Sequence, residues 1–326
     1  MTHPAILTEI WRGRFLESAH RGHAVVVDQG GDIVMEWGDP NAIVLPRSSA
    51  KMVQALPLIT SGAANKYRLT PQHLALACAS HNGAAIHTGP VQKWLSDLGL
   101  DDAALRCGPQ IPKDDIAKTD LIKSDASPCQ YHNNCSGKHT GFLTLAQFLD
   151  AGPEYLEPDH PVQIAIKDAF EEATGEDSPG FGIDGCSAPN HATSLKGMAR
   201  AMARFASAHV DSPEARLTEA MTTHPDLVAG EGRACTRLMR ATGGKVALKT
   251  GAEAFFVAIL PEQKLGVALK IEDGSTRAAE CAIAAILVKL GALDPNHPEA
   301  LAFTDASITN WRGIETGHMR AAGVLR

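Results

Sequence analysis

The chain of 326 residues has no block of basic residues, no long apolar run, no internal repeat and no low-complexity tract. Each lack removes a class of function. Its 37 Asp and Glu outnumber 30 dispersed Lys and Arg, for a formal net charge of −7. That balance argues against nucleic acid or an anionic membrane as a partner. The first residues, Met1-Thr2-His3-Pro4-Ala5-Ile6-Leu7-Thr8-Glu9, lack a basic region followed by an apolar core, so no export signal is expected. The most apolar later run, Cys281 to Leu290, contains Lys289 and is too short for a bilayer, which needs about 20 apolar residues. Seven cysteines without an export signal predict reduced thiols in a cytoplasmic protein.

What is present suits a globular protein. A hydrophobic content of 44% supports a proper core, in one large or two ordinary domains. Residues 5–45 predict strands, with Ala24–Asp28 and Asp32–Trp37 flanking a Gln29-Gly30-Gly31 turn. Pro46 and the serines after it predict the start of a helix from Ser49 to about Ser61, a serine capping its first amides. Further helices are expected from Thr70-Pro71, from Thr88-Gly89-Pro90, over Thr140–Leu149, over Pro161–Glu172 and from Pro213. Leu195, Met198, Met202 and Phe205 have the spacing of a buried helical face. Near the end, Lys245–Lys249, Ala254–Leu260 and Leu265–Ile271 predict strands, the last two joined as a hairpin, with a covering helix around Arg277 to Leu290. This order predicts an α/β fold: residues 1–60 and 240–326 form a discontinuous sheet domain, and 61–239 a mostly helical middle region.

Four clusters carry chemistry. Ser48 and Lys51 lie on the same side of the expected first helical turn, where a buried, neutral amine can take a hydroxyl proton. Lys249-Thr250-Gly251 falls at a strand end, and Ser80-His81-Asn82 ends an apolar element between these two. Together they match the order of a serine-hydrolase constellation. Cys135-Ser136-Gly137-Lys138 and Cys186 form the fourth cluster, though their spacing is not a standard structural zinc motif and suits buried thiols with a local lysine contact.

The ordered set Pro46-Arg47-Ser48-Ser49-Ala50-Lys51, Cys78-Ala79-Ser80-His81, Asn134-Cys135-Ser136-Gly137-Lys138-His139, Asp184-Gly185-Cys186 and Lys249-Thr250-Gly251-Ala252-Glu253 resembles the bacterial L-asparaginase II family of rhizobial type. The resemblance spans nearly the whole chain and implies a serine β-lactamase-like fold, with a mainly antiparallel sheet covered by helices. It implies hydrolysis of L-asparagine, Ser48 as nucleophile, Lys51 as its base, and Ser80 with Lys249 as a second Ser-Lys unit. It also implies a zinc site of Cys135, Lys138 and Cys186, and a homodimer. A free amino acid carries both charges, which selects Asp184 for its amino group, Arg47 for positive potential, and Asn134 as a further contact.

Glutamine, one methylene longer, is the first competing substrate. A β-lactamase-like amidase or esterase is the related alternative. Against it stand Ser-His-Asn in place of Ser-Asp-Asn and the expected cytoplasmic address. A noncatalytic zinc or amino-acid sensor is the rival from another class.

Overall fold

The computed structural model describes residues 3–326. Its strands are β1 (Ala5–Arg12), β2 (Phe15–Asp28), β3 (Ile33–Trp37), β4 (Ile43–Val44), β5 (Phe181–Ile183), β6 (Pro189–His191), β7 (Thr193–Ser194), β8 (Ala247–Thr250), β9 (Phe255–Leu260), β10 (Leu265–Ile271), β11 (Asp305–Thr309) and β12 (Glu315–Ala321). The first seven helices are α1 (Lys51–Gln54), α2 (Leu56–Thr60), α3 (Ala63–Lys66), α4 (Pro71–Ala77), α5 (Ala85–Asp97), α6 (Asp115–Lys123) and α7 (Ser136–Phe148). They are followed by α8 (Pro161–Thr174), α9 (Leu195–Ala206), α10 (Pro213–Thr223), α11 (Pro225–Val228), α12 (Ala234–Ala241), α13 (Thr276–Lys289) and α14 (Pro298–Thr304). Among the described residues no helix is long and apolar enough to cross a membrane. The class is α/β, as expected, and the chain divides into two compact units.

One unit comprises Met1–Ser49, Thr193–Ser207 and Arg237–Arg326. Its sheet runs β11-β12-β1-β2-β10-β9-β8, with β3 also paired to β2. Every pairing is antiparallel. The run Ala24–Val27 is apolar at every position and fully buried, which requires cover on both faces of the sheet. Helix α9 supplies one cover. A Cβ on Gly266 would stand 2.1 Å from the Ala199 carbonyl oxygen, so only glycine lets α9 approach β10 so closely. Helix α13 supplies the other, where the buried Thr8 hydroxyl donates to the Ala278 carbonyl. Strands β11 and β12 went unforeseen. They are polar and half-exposed, so alternation there carries little apolar signal.

The other unit comprises Ala50–Ala192 and Ala208–Thr236. Helix α7 is buried on every side from Ser136 to Ala146. Its backbone rests on α4, because a Cβ on Gly137 would stand 2.4 Å from the Leu76 carbonyl oxygen. The expected continuous helix from Ser49 to Ser61 is a 3-10 turn (Arg47–Ala50) followed by the short α1 and α2. Pro57 explains the break, since its ring excludes the carbonyl four residues back and it has no N–H to donate. No side-chain cap holds α1. Helix α5 begins at Ala85, so Pro90 lies inside it instead of opening it.

Candidate functional site

The first unit gathers the serine turn and the Lys-Thr-Gly strand end. Ser49 Oγ donates to the Lys249 carbonyl at 3.0 Å, and Ser49 N donates to the Pro46 carbonyl at 3.0 Å. Gly251 closes the same contact. Its N–H meets the Phe255 carbonyl at 2.7 Å, and a Cβ there would be 2.6 Å from the Pro46 oxygen. Ser48, half-buried, is thereby carried on a turn bolted to β8. The residue before it, Arg47, has φ +53°, a left-handed conformation that costs a non-glycine residue about 1–2 kcal/mol. Arg47 lines a cavity of about 560 Å³ with His23, Glu253, Lys270 and Glu272. Lys249 is buried, and its Nζ donates to the Thr250 carbonyl at 2.8 Å.

The second unit gathers more. Lys51 opens α1 directly after the 3-10 turn that bears Ser48, and only 1% of its surface is exposed. Its Nζ bonds the Ala79 carbonyl, Ser80 Oγ at 2.9 Å and Cys135 Sγ at 3.2 Å. Ser80 is held from behind, its N–H donating to the Val228 carbonyl at 2.8 Å. Ser80 thus has Lys51 as a lysine partner, a contact that sequence spacing did not suggest.

Cys135, at the start of α7, also donates its thiol to Asn134 Oδ1 at 2.9 Å, so Asn134 faces this cluster. One helical turn on, Lys138 Nζ lies 3.1 Å from Cys186 Sγ and over the Phe142 ring at 5.1 Å. The neighbouring Cys186 first of all, and then burial, hold the Cys135 thiol well above its usual range, while Cys135 first of all, with the Lys138 ammonium, favours the Cys186 thiolate against its burial. Burial opposes the Lys138 ammonium, but the two sulfurs outweigh it and raise its pKa. Asp184 stands in the turn between β5 and β6, its Oδ1 accepting from Gly185 N at 2.6 Å, and its charge adds to the positive shift of Lys138.

Among the described residues no three His, Cys, Asp or Glu side chains converge as a metal site. Two sulfurs and one amine do converge, and they are buried together. That donor set fits a soft divalent cation in a tetrahedral site with one open position, provided the lysine sheds its proton on binding.

The sequence profile of the family described as L-asparaginase II matches residues 8–321. No curated protein matches the chain. Similar solved structures include a β-lactamase from Mycobacterium bovis (12% identity, 82% of this chain and 94% of that one, TM-score 0.45). Others are a class C β-lactamase from Rhodobacter sphaeroides (14%, 82% and 94%, TM-score 0.41) and an octameric penicillin-binding protein homologue from Pyrococcus abyssi (13%, 93% and 84%, TM-score 0.38).

Proposed function

Because the chain belongs to the L-asparaginase II family, we propose that it hydrolyses L-asparagine to L-aspartate and ammonia through a serine acyl-enzyme. The observation that carries the mechanism is the buried Lys51 with a serine hydroxyl 2.9 Å from its nitrogen. A neutral Lys51 keeps two N–H donors for its acceptors and offers its lone pair to a hydroxyl.

In this reading Ser48 Oγ attacks the side-chain amide carbon while its proton passes to Lys51. The proton goes on to the amide nitrogen, directly or through Ser80, as the C–N bond breaks and ammonia leaves. Water then attacks the aspartyl ester, the ester C–O bond breaks and Ser48 regains its proton. Lys249 holds positive charge beside the Ser48 turn. Asp184 receives the substrate amino group, with Arg47 and Asn134 as further contacts.

Cys135, Lys138 and Cys186 would hold zinc, which when bound supplies positive charge for positioning substrate. Ser48 already provides the attacking atom, so no bond-making step requires the ion. A homodimer and a cytoplasmic address complete the reading. Glutamine is expected to be the poorer substrate, since its amide is displaced by one methylene.

The 2.9 Å Lys51–Ser80 contact also supports a second assignment, with Ser80 as the attacking hydroxyl. Ammonia release from L-asparagine and L-glutamine decides, using wild type, Ser48→Ala and Ser80→Ala. The expected outcome is asparagine-selective release, abolished in Ser48→Ala. A trapped ester that maps to Ser80 would exchange the two roles. No release by folded, zinc-loaded wild type would end the asparaginase reading and favour the sensor.

A further inference from the structure

His81 stands between Ser80 and Asn82, buried and stacked on His87 with centroids 4.8 Å apart and planes at 10°. Its hydrogen bonds define which nitrogen carries the proton. Gly83 N–H donates to Nδ1 at 3.2 Å, so Nδ1 is an acceptor. The proton is therefore on Nε2, 2.9 Å from Ser136 Oγ. Ser136 in turn spends its own proton on the Tyr131 carbonyl at 3.0 Å, which leaves its oxygen free to accept from His81. Every proton in this chain has a fixed direction. Such a histidine is a strut and not an acid or base.

The strut closes a ring. Lys51 touches Ser80 Oγ at 2.9 Å and Cys135 Sγ at 3.2 Å. Ser80 is joined through the chain to His81, His81 through its ring to Ser136, and Ser136 through the chain to Cys135. A second tie runs alongside, from His81 N–H to the Asn134 carbonyl at 3.2 Å. Burial reinforces the neutral state, since desolvation first, then nearby His87, Lys51 and His132, depress protonation of His81.

We propose that His81 is a positioning residue which, through its Nε2–H bond to Ser136, sets the separation of Lys51 and Ser80 for acyl transfer. The proposal rests on the asparaginase reading for its substrate and on the Lys51–Ser80 pair for its geometry. A displacement of about 1 Å at a reacting group can cost on the order of 100-fold in rate.

The test uses full-length wild type, His81→Leu, Ser136→Ala and His81→Gln, with thermal melts to correct each rate for the folded fraction. Asparagine turnover gives kcat and KM. Labelling by a serine-reactive fluorophosphonate gives a second rate that needs no substrate assignment. His81→Leu and Ser136→Ala are expected to lose about 100-fold in kcat and in labelling rate, with KM little changed. Gln keeps one donor and one acceptor, and His81→Gln is expected to recover most of that loss. Equal losses in His81→Gln and His81→Leu would overturn the proposal in favour of proton transfer by the imidazole. Wild-type rates in His81→Leu would overturn it outright, as would a fall in KM-limited binding alone. Labelling of wild type that is lost in His81→Leu, without asparagine turnover in either, would uphold the strut and remove only the substrate. A wild type that neither turns over nor labels would remove both.

Discussion

Ser48 and Ser49 are neighbours with one hydroxyl each, and the fold gives the second one to the backbone. Ser49 Oγ reaches the carbonyls of Lys249 and Phe255 at 3.0 and 3.4 Å, so its role is to hold the turn on which Ser48 stands. Ser49→Ala is therefore expected to cost about 1 kcal/mol in urea unfolding while ammonia release persists. Loss of activity at full stability would instead place Ser49 in the chemistry. Lys51 is the opposite case, a buried amine whose bonds go to groups of the site. Lys51→Met removes a nitrogen that holds the Ala79 carbonyl and Ser80 together. Its expected signature is abolished turnover in a protein that still melts cooperatively. Substantial residual kcat would show that another group takes the Ser48 proton.

Helix α9 lies on β10 only because Gly266 has no side chain. A Cβ there would stand 2.1 Å from the Ala199 carbonyl and 2.2 Å from the Ala203 nitrogen. Gly266→Ala is expected to destabilise by about 3 kcal/mol, as overpacking of a rigid contact does. Gly152→Ala, with open space around the new methyl, should stay within about 0.5 kcal/mol in the same unfolding assay. Equal effects would mean that α9 is free to lift. Elements with a strong period were legible from sequence alone. The stripe Leu195, Met198, Met202 and Phe205 is buried on α9, and β9 and β10 pair as the expected hairpin. The break in the first helix was less legible, because Pro57 is compatible with either a kink or a new start until packing decides. At the site, Ser48-x-x-Lys51 and Cys135-x-x-Lys138 are local patterns. The bonds from Lys51 to Ser80 and Cys135 span 29 and 84 residues, and no periodicity relates such positions.

Across the whole molecule, buried histidines make stability depend on acid. His81 and His87, joined by the less enclosed His73 and His191, have their protonation depressed below the ordinary value of 6.5, mainly by burial. The unfolded chain therefore binds protons that the folded one refuses as pH falls through about 6.5. Stability is then expected to drop, by at most about 1.4 kcal/mol per pH unit for each such histidine, until the lowered folded values are reached. Urea midpoints between pH 8 and pH 5 test this, and His81→Gln should flatten the slope. A wild type equally stable at both ends would refute the assignment. No disulfide joins any of the seven cysteines, and burial first of all pushes Cys107 and Cys281 up to about 12, which keeps those two thiols unreactive.

The pairing of β2 with β10 sets a timetable for biosynthesis. Val27 lies opposite Gly266, so the centre of the sheet joins residues made far apart in time. At about 5–20 residues per second, the ribosome takes on the order of 10–50 s to supply the second strand. Throughout that interval the strand at hand to pair with the apolar run Ala24–Val27 is its local hairpin partner β3. Chaperone demand should therefore concentrate on this strand, and release should follow the appearance of β10.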